Sequence, residues 1–124
     1  MTDQPIIVTV DTEYLSRESE PDKQRFVFAY QITIHNQGSA PAKLLGRHWI
    51  VTDSNEAKKV YSGMGVVGEQ PLIDPGKSYQ YTSGIVLDTP IGTMQGHYTM
   101  LDQQGESFDV PIDPFLLSTP NTVN

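Results

Sequence analysis

Apolar and polar residues alternate with a period of two along most of this chain, and no window repeats with helical spacing. The clearest stretch sets Phe26, Phe28, Tyr30, Ile32 and Ile34 against Val27, Ala29, Gln31, Thr33 and His35. Successive side chains of a strand point to opposite faces, so this pattern predicts a strand with one side turned to a core. The same reading places strands over 6–14, 26–35, 43–53, 57–61, 77–87, 95–101 and 107–112. Turn chemistry separates them: Pro21-Asp22, the cluster from Asn36 to Pro41, Asp53-Ser54-Asn55, a glycine-rich loop over 62–76, Asp88 to Gly92, and Asp102 to Gly105. A tail over 114–124 carries Phe115, Leu116 and Leu117 and then becomes polar.

Seven short strands with turns at regular spacing predict an all-β fold, a seven-stranded antiparallel immunoglobulin-like β-sandwich. Trp49 falls on the third strand, where such domains bury a tryptophan, and Tyr98 stands two residues before Met100, where a tyrosine corner is expected. A closed barrel is the structural alternative. With 124 residues the chain makes one domain, with an ordered core over about 5–117 and a polar tail over 118–124.

Composition narrows the chemistry. The absence of cysteine makes the cross-sheet contact apolar, as in fibronectin type III domains, and removes disulfides, thiolate catalysis and cysteine metal sites. Eight basic against fifteen acidic side chains give a net charge of −7, which opposes binding to phosphate backbones, so no nucleic-acid partner is expected. The apolar run Ile6-Ile7-Val8 is too short for export or for crossing a bilayer, and Met1-Thr2-Asp3-Gln4-Pro5 has no basic region. The expectation is a cytoplasmic protein without a membrane partner.

Gly63-Met64-Gly65-Val66-Val67-Gly68 spells a dinucleotide-binding fingerprint, but Pro71, Pro75 and Gly76 follow closely and prevent a helix from starting there. Gly63, Gly65 and Gly68 therefore have two readings. One is a pyrophosphate-binding nest of backbone amides; the favoured one is a cross-over loop that needs glycine for positive φ, with Val66 and Val67 anchoring it. Arg47 and His48, beside Trp49, and Glu69 and Gln70, after the glycines, form a further candidate surface. Neighbours on a strand face opposite ways, so Arg47 shares its face with Trp49 and does not converge with His48. Arg47 is read as a rim arginine with a buried stem. His35, His48 and His97 lie on three different strands without metal-ligand spacing, so no metal is assigned, although facing strands leave open a meeting in space. The carboxylates from Asp11 to Asp22 lack a calcium-loop pattern and are read as a solvated edge that discourages aggregation. Ser62 and Ser83 lack a nucleophile elbow or a diagnostic base, and no cofactor is expected.

Five ordered blocks carry a family resemblance: Arg47 to Asp53, Gly63 to Pro71, Tyr81 to Gly84, Thr89 to Gly96, and Phe108 to Phe115. Together they resemble the bacterial ApaG (CorD) proteins over nearly the whole chain. The resemblance implies a fibronectin type III-like sandwich and a family-level link to cobalt tolerance and magnesium efflux. It also implies a protein-recognition module, since similar domains end larger eukaryotic proteins. The pyrophosphate proposal for the family's glycine motif maps onto Gly63, Gly65 and Gly68. The expected function is a non-enzymatic protein-interaction module with an unidentified protein partner, and a homodimer by edge pairing is a further option. The alternative is binding of a nucleotide, pyrophosphate or divalent cation at the glycine loop.

Overall fold

The computed structural model describes residues 5–120, and the outermost part of the expected polar tail, 121–124, lies outside them. All seven expected strands are present. They are β1 (Ile6–Tyr14), β2 (Phe26–Asn36), β3 (Ala42–Asp53), β4 (Lys58–Met64), β6 (Ser78–Leu87), β7 (Ile91–Leu101) and β8 (Ser107–Ser118). An eighth, β5 (Leu72–Ile73), is two residues long. The described residues contain no α-helix; two 3₁₀ turns, Ser16–Glu18 and Pro21–Lys23, occupy the charged loop after β1.

One sheet has the order β1-β2-β6 and the other β4-β3-β7-β8, all pairs antiparallel. This is the fibronectin type III arrangement. The inward positions of the period-two pattern form the core: Phe28, Ile32 and Ile34 from the first sheet face Leu44, Trp49, Met94, Tyr98, Met100 and Leu117 from the second, all essentially buried. Trp49 is the hub, with edge-on contacts to Tyr30, Tyr98 and Phe115 at centroid distances of 5.7, 5.9 and 5.9 Å.

Three local expectations change. The stretch expected to be an apolar tail belongs to β8, where Leu117 is fully buried and Phe115 packs on the core. Pro111 and Pro114 obscured it; β8 is an edge strand, where a missing amide costs no ladder bond. β7 begins at Ile91, inside the expected turn. Tyr98 is not a tyrosine corner: its hydroxyl bonds the Tyr81 hydroxyl across the sandwich instead of a backbone group.

Asn36, expected only as a turn residue, is a buried clamp. Its Nδ2 donates to the carbonyls of Ala40 and Ile73, both at 2.9 Å, and its Oδ1 accepts from Gly38 N–H at 2.9 Å. It thereby ties the loop after β2 to β5 in the opposite sheet.

The buried phenols couple the core to pH. Tyr30, Tyr81 and Tyr98 are all held above the usual tyrosine range, chiefly because burial disfavours phenolate. A folded-state value above the unfolded one, about 10, means that the native state binds more protons than the unfolded chain above that pH. Their stabilising contribution is complete below pH ~10 and is lost progressively above it. Alkaline titration is expected to release the phenolate absorbance of these three only together with the loss of near-UV circular dichroism. Ionisation of all tyrosines with tertiary signals intact would contradict this.

Candidate functional site

The sequence-predicted residues gather along the outer edge of the second sheet. β4 pairs with β3 from Gly46↔Met64 to Thr52↔Lys58, and β5 pairs farther along the same strand at Ala42↔Ile73 and Lys43↔Leu72. Both segments run antiparallel to β3, so they form one interrupted edge strand. Residues 65–71 are an excursion from it and not a cross-over. The passage to the other sheet is made later, by the turn Asp74 to Lys77, where Gly76 N–H bonds Asn36 O at 2.7 Å.

The excursion is a tight hairpin. Val66 N–H donates to Glu69 O at 2.8 Å and Glu69 N–H donates back to Val66 O at 2.9 Å. The two corner residues, Val67 and Gly68, both have positive φ, 48° and 79°. This is the pattern of a type I′ turn, which favours Asn-Gly. Val66 is fully buried and anchors the hairpin, whereas Val67, expected as a second anchor, stands 62% exposed at its tip. A β-branched residue in the left-handed region is a genuine outlier.

Arg47 clips the base of the hairpin. It faces the same side as Trp49, paired with Gly63 as Trp49 pairs with Tyr61. Its Nη1 donates to Gly65 O at 2.7 Å and to Met64 O at 3.2 Å. A Cβ at Gly63 would lie 3.0 Å from both terminal guanidinium nitrogens, so a side chain there would press on the Arg47 clip. Arg47 is thus half-buried and spent on loop carbonyls, not a free rim cation. Gln70 adds a second clip, its Nε2 donating to Leu45 O at 2.9 Å, while the exposed Glu69 takes part through its backbone.

The amide accounting bears on the pyrophosphate reading. Gly65 N–H donates to Leu45 O at 2.7 Å and Val66 N–H to Glu69 O, so two central amides of the glycine stretch are turned into the protein. The carbonyls of Met64 and Gly65 face Arg47. An anion cradle needs those amides pointing outward.

His48 leaves this group. It projects from the opposite face of β3, where its Nδ1 lies 2.7 Å from Ser62 Oγ and its ring stacks on His97 at a centroid distance of 5.1 Å. His35 is remote, on the first sheet, bonded to Ser78 Oγ at 2.7 Å. Among the described residues no three His, Asp or Glu side chains cluster as metal ligands, and no helix is long and apolar enough to cross a membrane.

What sequence reasoning missed is an exposed apolar row beside the hairpin: Val60 at 60%, Met64 at 72%, Val67 at 62% and Leu72 at 63% exposure. Its signal is the failure of period-two patterning after residue 59, which the glycines draw into a loop assignment.

The ApaG domain family model matches residues 16–102. The chain is 48% identical over 119 residues to the protein ApaG of Pectobacterium atrosepticum, covering 96% of this chain and 95% of that one. It stands at the same identity and coverage to the protein ApaG of Escherichia coli K12. A crystal structure of an ApaA protein from Bordetella pertussis superposes with a TM-score of 0.91 at 48% identity, covering 94% of this chain and 95% of that one. A protein from Archaeoglobus fulgidus, at 10% identity and TM-score 0.55, shares the fold alone.

Proposed function

The chain belongs to the ApaG domain family, and from that premise we propose that it is a non-enzymatic protein-recognition module whose contact surface is the glycine hairpin and the free edge of β4. The observation that carries this reading is Val67. An apolar, β-branched side chain is held at φ 48° and left 62% exposed, where asparagine or glycine would sit without strain. Strain of this kind costs on the order of 1–3 kcal/mol, and residues that bear it cluster at functional sites.

The surroundings support the reading. Met64 and Leu72 flank Val67 as exposed apolar residues, and β4 is unpaired on its outer side. Two of the other edges carry guards against strand addition, whereas β6 carries neither charge nor proline. β8 holds Pro111, Pro114, Asp109 and Asp113, and β1 holds the exposed Asp11 and Glu13. In β4 the only charges are Lys58 and Lys59, at one end, leaving the apolar part of the edge open to a partner segment. The names of the relatives state no reaction, and the site offers an apolar contact surface without a convergent acid–base set.

Val67→Asn separates recognition from stability. Asparagine tolerates the left-handed region, so the variant is expected to be more stable by about 1 kcal/mol in urea unfolding. It should nevertheless lose the partners that wild-type protein captures stoichiometrically from cell extract, scored by quantitative mass spectrometry. Equal capture by the stabilised variant would overturn the proposal.

A further inference from the structure

We propose that His48 and His97 form a two-imidazole binding site for a borderline d-block dication, zinc being the probe of choice, with Ser62 as the residue that orients His48. The two histidines are direct register partners on β3 and β7, so their side chains leave the same, outward face of the sheet. Their rings stack at 5.1 Å with an interplanar angle of 24°. The close approach is built into the backbone: Gly96, next to His97, lets β7 lie against the His48 carbonyl.

Imidazole nitrogen is the donor that suits zinc, copper and nickel, whereas magnesium and calcium require oxygen. A zinc ion about 2.0–2.1 Å from each nitrogen needs the two nitrogens roughly 3–3.4 Å apart. Binding one ion requires side-chain rotation that turns the in-plane lone pairs of the two stacked rings toward a common point. Ser62, the β4 partner of His48, places Oγ 2.7 Å from His48 Nδ1. With Nδ1–H donating to that oxygen, the lone pair of the neutral ring sits on Nε2, facing solvent. Ligating histidines are characteristically oriented in this way through their other nitrogen. The described residues supply no third His, Asp or Glu to complete a set, so the remaining positions fall to water or to a donor on another molecule.

His35 is an internal control. It makes the same contact to a serine, Ser78 Oγ at 2.7 Å, but lies on the other sheet without a second imidazole beside it.

The test is calorimetric titration of the untagged full chain with zinc chloride in a non-coordinating buffer, followed by the same titration watched through the histidine ring proton signals. One zinc per chain is expected, with the His48 and His97 signals moving together and His35 unaffected. Magnesium chloride should produce neither heat nor shifts. His48→Gln and His97→Gln, both on the outer face, should each weaken zinc at least tenfold with unfolding midpoints unchanged. Ser62→Ala should weaken it by about tenfold. Absence of zinc binding, equal affinity in either glutamine variant, or a His35 shift matching the pair would overturn the site. Unchanged affinity in Ser62→Ala would overturn the role of the serine.

Discussion

Replacing Gly96 with alanine is expected to cost about 4 kcal/mol or more, a large share of the stability of an ordinary small domain. Gly96 pairs with Trp49 on β3 and with Ile112 on β8, where the register of β7 against β8 shifts after Met94. A Cβ at this position would penetrate the His48 carbonyl oxygen and stand 2.9 Å from its carbon and 3.1 Å from Trp49 Cα. All three are backbone atoms of the central strand, beside the fully buried Trp49 and Tyr98, so no flexible side chain can yield. Relief requires β3 and β7 to separate, which opens the ladder at the middle of the second sheet. Gly84→Ala is the control: it is also a strand glycine, but its nearest neighbour, Phe28 O, is 3.5 Å away, an ordinary contact. That variant should stay within about 1 kcal/mol of wild type. Urea unfolding compares the two; similar midpoints would refute the close-approach account.

The second large effect separates two glycines of the fingerprint. Gly65→Ala is expected to cost about 3 kcal/mol and Gly68→Ala about 1 kcal/mol, although both residues have positive φ. Gly68 is at the exposed corner, where an added methyl group would meet nothing within 4 Å, so only the left-handed backbone penalty applies. Gly65 is buried, and a Cβ there would collide with the Glu69 carbonyl oxygen, which closes the hairpin by accepting from Val66 N–H. The collision breaks that closure and releases Gly65 O from Arg47. A loop built to hold phosphate would instead depend on its outward amides, and Gly68 would matter as much as Gly65 for function. Equal destabilisation by the two alanines would count against the hairpin described above.

Most of the architecture is legible in the chain. The β2 pattern from Phe26 to Ile34 matches its buried positions, and Trp49 is at the centre of the core, as its place on the third strand predicts. The absence of a helix after Gly68 is legible too, because Pro71, Pro75 and Gly76 act locally. The two strands cut short share one cause. The sequence pattern ends β4 at 61 and β8 at 112 because glycine and proline read as breakers, whereas edge strands tolerate both. At the candidate site Arg47, Gly63 and Gln70 stand out in the sequence, but their roles as clip, clearance and second clip depend on partners 16 to 25 positions away in the chain, while Gly65 gives clearance to Glu69 within the hairpin itself.

Alternation, turn residues and the lack of cysteine determined an antiparallel sandwich with an apolar core, because each is a property of neighbouring residues. Pairing decided the rest. Register set His48 against His97 and turned Arg47 inward, and packing between sheets joined Tyr81 to Tyr98 and buried Asn36. The collinear placement of β4 and β5 made the glycine stretch a strained, exposed hairpin. Such contacts join residues far apart in sequence, and a one-residue change of register would reverse every one of them, so no local pattern encodes them.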